Sequence, residues 1–157
     1  MTGADDDRRF MREALVEATA AAATGDIPVG AVVVLGGEII SRGRNEKELR
    51  RDPTAHAEMI AIRRAVQRLR DWRLPLATLY STLEPCPMCA GAMIQARLGR
   101  LVYALDDPKA GAAGSVIHLL RLPYLNHRVE VLRGVLAEEA AQTLKAFFTD
   151  LRATGEI

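Results

Sequence analysis

Two short segments of this 157-residue chain carry side chains able to do chemistry together: Thr54-Ala55-His56-Ala57-Glu58 and Glu84-Pro85-Cys86-Pro87-Met88-Cys89. Cys86 and Cys89 are the only cysteines, and three positions apart they are poorly placed to staple distant segments. A disulfide scaffold is therefore excluded. A Cys-x-x-Cys pair can bind zinc, act as a redox dithiol, or simply be two small buried residues. A closed structural zinc site needs four protein ligands. The three histidines, His56, His118 and His127, make that arithmetically possible, but no spacing links His118 or His127 to the cysteines. A His-x-Glu such as His56-Ala57-Glu58 is common on its own and says little.

Both segments must be held by elements that the pattern of apolar residues outlines. Phe10, Met11, Ala14, Leu15 and Ala18 recur at helical spacing, which predicts an amphipathic helix over 7–23. Val29–Leu35 and Glu38–Gly43 read as two strands joined by a two-residue turn at Gly36-Gly37. A polar loop over 45–54 ends in Asp52-Pro53 and leads into a helix over 55–69, so His56 and Glu58 fall at its start. Thr78–Leu83 is a third strand, directly before the cysteines. Pro87–Arg97 is a helix, nearly apolar all round and so expected to be buried on more than one side. A strand over 100–104, a Gly/Pro/Asp loop over 106–114, a short helix over 115–120, a strand over 129–133 and a closing helix over 137–152 complete the order. This succession predicts an α/β protein, a three-layer α/β/α sandwich around a five-stranded mixed sheet. The third and fourth strands, joined through a helix, should be parallel.

Composition agrees with one soluble domain over 1–157, with residues 1–6 expected to be disordered. Apolar residues are 49% and charged residues 26% of the chain, which excludes wholesale disorder. The longest apolar runs fall far short of a membrane span. The acidic start, Asp5-Asp6-Asp7, does not resemble a secretory leader, and a cytoplasmic location is expected. A net charge of +1 does not announce a nucleic-acid partner. Its distribution is more suggestive, because 18 of the 21 basic residues are arginine, clustered at 42–51 and 63–73. Arginine forks suit phosphate, although such clusters are commonly solvated faces.

Taken together, His56-x-Glu58 and Pro85-Cys86-x-x-Cys89 resemble the zinc signature of nucleobase deaminases. The physical logic follows. Three ligands, His56, Cys86 and Cys89, leave zinc's fourth position open to water, whose pKa the metal lowers toward about 7. Glu58 lies on the same first helical turn but rotated about 200° from His56. It reaches the cavity without being a fourth ligand, and can take a proton from water and pass it on. The likeness extends along the chain. Ile27-Pro28-Val29-Gly30-Ala31-Val32, the segment 52–58, the segment 82–93, Asp106-Asp107-Pro108-Lys109-Ala110-Gly111-Ala112-Ala113-Gly114-Ser115 and Asn126-His127-Arg128-Val129-Glu130 are similar to the tRNA-specific adenosine deaminases.

That resemblance implies a cytidine deaminase-like fold and a homodimer with one Zn2+ per subunit. It implies hydrolytic conversion of the wobble adenosine of a tRNA anticodon to inosine, with Glu58 catalytic. By position, Asn45 would hydrogen-bond the flipped adenine and the Ala57 backbone would help hold it. Asp107 and Lys109 would lie in the loop holding neighbouring nucleotides, and Phe147 would lie against the anticodon loop, in keeping with RNA recognition through splayed bases and aromatic stacking. Leu105 stands where a small residue is usual in the family. The rival enzyme reading is a guanine or other free-base or nucleoside deaminase, since Pro-Cys-Pro-Met-Cys occurs among guanine deaminases; the 106–130 region separates the two. A noncatalytic zinc-stabilised module would instead need four protein ligands and no Glu58.

Overall fold

The computed structural model describes residues 3–155. Helix α1 spans Gly3–Ala23, so it starts earlier than the apolar repeat suggests and includes residues 3–6, expected to be loose. Residues 1 and 2 lie outside the described part. Strands β1 (Gly30–Leu35) and β2 (Glu38–Arg44) form the expected hairpin. A single helical turn, α2 (Lys47–Arg50), interrupts the polar stretch read as loop. There follow α3 (Ala57–Leu69), β3 (Thr78–Leu83), α4 (Pro87–Gln95), β4 (Arg100–Leu105), β5 (Glu130–Arg133) and α5 (Ala137–Thr154). Only a 3-10 turn at Leu119–Arg121 occurs near the helix predicted over 115–120.

The five strands form one mixed sheet in the order β2-β1-β3-β4-β5. β1 runs antiparallel to both β2 and β3, while β3, β4 and β5 are parallel. Side chains alternate across a strand, and here the alternation divides two apolar layers. Ala31, Val33, Leu79, Leu101 and Tyr103 pack under α3 and α4. Val32, Val34, Tyr80, Val102 and Ala104 pack with Phe10, Met11 and Ala14 of α1 and Ala140 of α5. Leu105 packs against this second layer.

Polar fastenings add to the packing. The buried Asp7 of α1 accepts hydrogen bonds from Tyr80 Oη at 2.7 Å and from both terminal nitrogens of Arg100 at 2.9 Å, tying α1 to β3 and β4. Burial alone would raise the Asp7 carboxyl, but the Arg100 and Tyr80 hydrogen bonds outweigh it and hold Asp7 below its ordinary range. At the outer edge of β2, Arg64 and Arg68 of α3 donate to the carbonyls of Arg42 and Ile40, at 2.9 and 3.1 Å.

The feature that most directly places the chemistry is the seat of α3 on β2. A Cβ on Gly43 would overlap Ala57 O and lie 2.7 Å from Ala61 N. Only glycine lets the first turn of α3 rest on the strand at this separation.

Candidate active site

The two chemical segments meet beyond the carboxyl ends of the parallel strands, where open α/β sheets form their ligand crevices. Before α3, Asp52 Oδ1 accepts from the Thr54 amide at 2.8 Å and the Thr54 hydroxyl at 2.7 Å, bending the chain toward the helix start. His56 is the N-cap of α3 and Cys86 the N-cap of α4, with Pro87 just inside the second helix. N-caps are usually Ser, Thr, Asp or Asn, whose side chains bond back to the helix. Neither His56 nor Cys86 makes such a bond. Their side chains turn toward each other instead.

The His56 Nδ1 atom lies 3.6 Å from Cys86 Sγ and 3.6 Å from Cys89 Sγ. A tetrahedral zinc with bonds of about 2.05 Å to nitrogen and 2.3 Å to sulfur sets such ligand atoms about 3.55 Å apart. Geometry and donor types therefore both fit a metal. Electrostatics agree. Hydrogen bonding from Cys89, then from His56, pulls the Cys86 thiol down to about 4 against its burial. Cys89 is pushed far up, first by its bond to Cys86 and then by burial. His56 is raised, chiefly by its bond to Cys86. Two thiolates this close form together only when a cation shares them. The amino ends of α3 and α4 favour negative charge here by about 0.3–1 kcal/mol each.

A cavity of about 190 Å³ opens against this cluster, lined by Ile27, Val29, Asn45, Lys47, His56, Ala57, Glu58, Leu83, Glu84, Cys86, Asp107 and Ala110. It is smaller than the about 300–1,000 Å³ of drug-sized pockets and suits a single heterocyclic base. Glu58 is 3% exposed. Burial pushes its carboxyl up to about 7, despite the opposing pull of His56. A carboxyl poised there can both accept and give a proton near neutral pH. Asn45 donates from Nδ2 to Ile27 O and accepts from the Lys47 amide, both at 3.1 Å. Each end of the amide keeps one further hydrogen-bonding position.

Of the residues named from sequence, the cavity brings together Asn45, His56, Ala57, Glu58, Cys86 and Asp107, with the buried Cys89 within bonding reach of the same metal position. Lys109 is exposed on the neighbouring loop and does not line the cavity. Phe147 is not brought there. It is buried, edge-on to Phe148 with ring centres 5.4 Å apart, and borders a separate groove between α1 and α5. His118 is exposed and His127 bonds Leu98 O, so neither joins the metal cluster.

Sequence reasoning missed two buried carboxylates that hold the cavity walls. Asp26, fully buried, accepts from the amides of Glu48 at 2.6 Å and Leu49 at 3.2 Å, fixing α2. Glu84, 1% exposed, accepts from the amides of Asp107, Ala113 and Ser115 at 2.9–3.1 Å and from the Ser115 hydroxyl. Burial works against its ionisation, yet these donors, the Ser115 hydroxyl foremost, leave it below its ordinary range. A glutamate between a strand and Pro-Cys was the available signal; its partners, more than twenty residues on, were not.

The described residues include no helix long and apolar enough to cross a membrane. Residues 5–152 match the model of the MafB19-like deaminase family. The chain is 48% identical over 146 residues to the tRNA-specific adenosine deaminase of Bacillus subtilis, covering 93% of this chain and 91% of that one. A solved structure from a study of tRNA:A34 deaminases editing A to I at the wobble position of transfer RNA superposes with a TM-score of 0.83 at 44% identity, covering 86% of this chain and 98% of that one. The guanine deaminase of Nitrosomonas europaea shares the fold at a TM-score of 0.75 but only 25% identity, covering 89% of this chain and 83% of that one. With such matches spanning nearly its whole length, the chain belongs to the tRNA-specific adenosine deaminases.

Proposed function

We propose that this protein hydrolyses the exocyclic amine of the wobble adenosine in a tRNA anticodon, giving inosine and ammonia, with one Zn2+ held by His56, Cys86 and Cys89. The observation that carries the reading is one cavity that unites a three-ligand metal position, a buried carboxyl and a base-sized space. The metal supplies a Lewis acid that makes water nucleophilic near neutral pH. Glu58 would take one proton from the attacking water and give it to the ring nitrogen N1. It would then take the second from the new C6 hydroxyl and give it to the amine, which leaves as ammonia while C6–N is replaced by C6=O. Asn45 and the Ala57 backbone hold the base flipped out of its stack, which excludes bases that cannot leave theirs. Asp107 and Lys109, on the loop beside the cavity, meet the neighbouring nucleotides. Phe147 would reach the anticodon only through the groove beside α1.

The protein acts in the cytoplasm as a single-domain subunit of a homodimer. Supporting the dimer, the outer face of α4 carries Pro87, Met88, Gly91 and Ala92 short of full burial, and nothing lies within 4 Å of a Cβ placed on Gly91. A single monomeric species in sedimentation across micromolar concentrations would contradict that assembly.

The test of function is incubation of zinc-loaded protein with a panel of tRNAs, followed by sequencing for adenosine-to-inosine change at the wobble position. Glu58→Ala should keep its zinc and form no inosine. Deamination of free guanine, with none on an anticodon stem-loop, would overturn the substrate.

A further inference from the structure

We infer that Glu84 is a positioning residue for substrate, acting by holding the 107–115 loop in its binding conformation. This rests on the reading of the Asp107 cavity wall as a substrate contact. The argument begins with saturation. Glu84 Oε1 accepts from the Asp107 amide at 3.0 Å and from the Ser115 hydroxyl; Oε2 accepts from the amides of Ala113 at 2.9 Å and Ser115 at 3.1 Å. A carboxylate offers about four lone-pair positions, and all four are taken by one loop. Hydrogen bonds to an ionised acceptor are the strong kind.

The loop is also shaped around this side chain. A Cβ on Gly111 would overlap the Glu84 carboxylate and lie 2.5 Å from Asp107 O. Pro85 O, the next residue's carbonyl, receives the Ala112 amide at 2.8 Å. The segment that enters Cys86 and the segment that presents Asp107 are therefore clamped as one piece. Glu84 makes no contribution to the metal cluster, whose members are His56, Cys86 and Cys89. Its work is to fix a wall that the base and its neighbours would meet, and a wall misplaced by about 1 Å can cost a hundredfold.

Glu84→Gln tests this, because a terminal NH2 replaces one oxygen and in either orientation faces at least one N–H donor, that of Asp107 at the Oε1 position or those of Ala113 and Ser115 at the Oε2 position. Three quantities are read on the zinc-loaded protein: zinc content, kcat and KM on an anticodon stem-loop, and amide hydrogen exchange. Zinc stays at one per chain. KM rises at least tenfold while kcat stays within about threefold. The amides of 107–115 exchange faster while those of β3 and α4 do not. Ser115→Ala, which removes one of the four donors, shifts KM the same way by a few-fold and serves if Glu84→Gln does not fold. An unchanged KM in the surviving variant overturns the inference, as does a fall in kcat alone. Because the wild type is assayed alongside, its failure to deaminate would count against the substrate reading and not against the clamp.

Discussion

Gly43→Ala puts the link between fold and chemistry to the test with one methyl group. The new Cβ would overlap Ala57 O and stand 2.7 Å from Ala61 N, where ordinary contact begins at 3.4 Å. Both are backbone atoms of α3, so that helix must retreat by about 0.7 Å or more. His56 caps this helix and Glu58 sits in its first turn, and both move with it. Metal–ligand distances tolerate only about 0.2 Å, so the 3.6 Å spacing of Nδ1 from the two sulfurs cannot survive unchanged. The expected outcome is a 10–100-fold loss of zinc affinity, the range for disturbing a ligand's support. Overpacking should also cost about 1–3 kcal/mol, a fall in Tm of roughly 3–10 °C for a chain of this size. Titration of zinc against a competing chelator gives the affinity, and thermal unfolding of the chelated protein separates stability from metal binding. A variant with wild-type zinc affinity and wild-type turnover would refute the claim that the seat of α3 on β2 sets the position of His56.

Two further outcomes follow from named hydrogen bonds. Asp7→Asn should lower stability by about 1–3 kcal/mol, because it weakens a buried bidentate acceptor. Since the folded carboxyl is held below its unfolded value, near 3.9, the stability it lends is fully present above that value and is lost as pH falls through the folded one. Unfolding followed by denaturant between pH 2 and 6 should therefore show an acid limb that is shallower in Asp7→Asn, where Glu84, also held below its ordinary range, still contributes; an identical limb in the variant would sink this account. Asn45→Ala should raise KM on a stem-loop about tenfold, the equivalent of about 1.4 kcal/mol, with zinc content unchanged; steady-state kinetics at unchanged KM would show that the amide serves only Ile27 and Lys47.

Much of this molecule was legible from local patterns. His-x-Glu and Cys-x-x-Cys sit at helix starts that Pro53 and Pro87 announce, and helix starts are where metal-binding side chains are spared from burial within a helix. The β1–β2 hairpin followed from the Gly36-Gly37 turn, and the parallel pairing of β3 with β4 from the helix between them; the rest of the strand order emerged only from the structure. What remained hidden depends on contacts across the sequence. Glu84 and Asp26 look like any acidic residues until the loop and turn they hold are folded over them. Phe147 has helical spacing suited equally to core and to surface; it is buried beside Phe148 and borders the groove between α1 and α5. The short helix expected over 115–120 shrank to a 3-10 turn, because the Ala113–His118 bridge closes residues 114–117 into a turn before Leu119.

The arginines on α3 also bear on how copies of this protein meet in a crowded cell. A sheet that ends in an open strand offers unpaired backbone groups to any passing strand, and pairing of that kind leads to aggregates. On β2 the outward carbonyls of Ile40 and Arg42 are already taken by the guanidinium groups of Arg68 and Arg64. Their charge also keeps a second such edge at a distance. Two cations that charge counting alone would assign to a nucleic-acid surface are thus committed to sealing the sheet, and self-association is turned away from the hairpin.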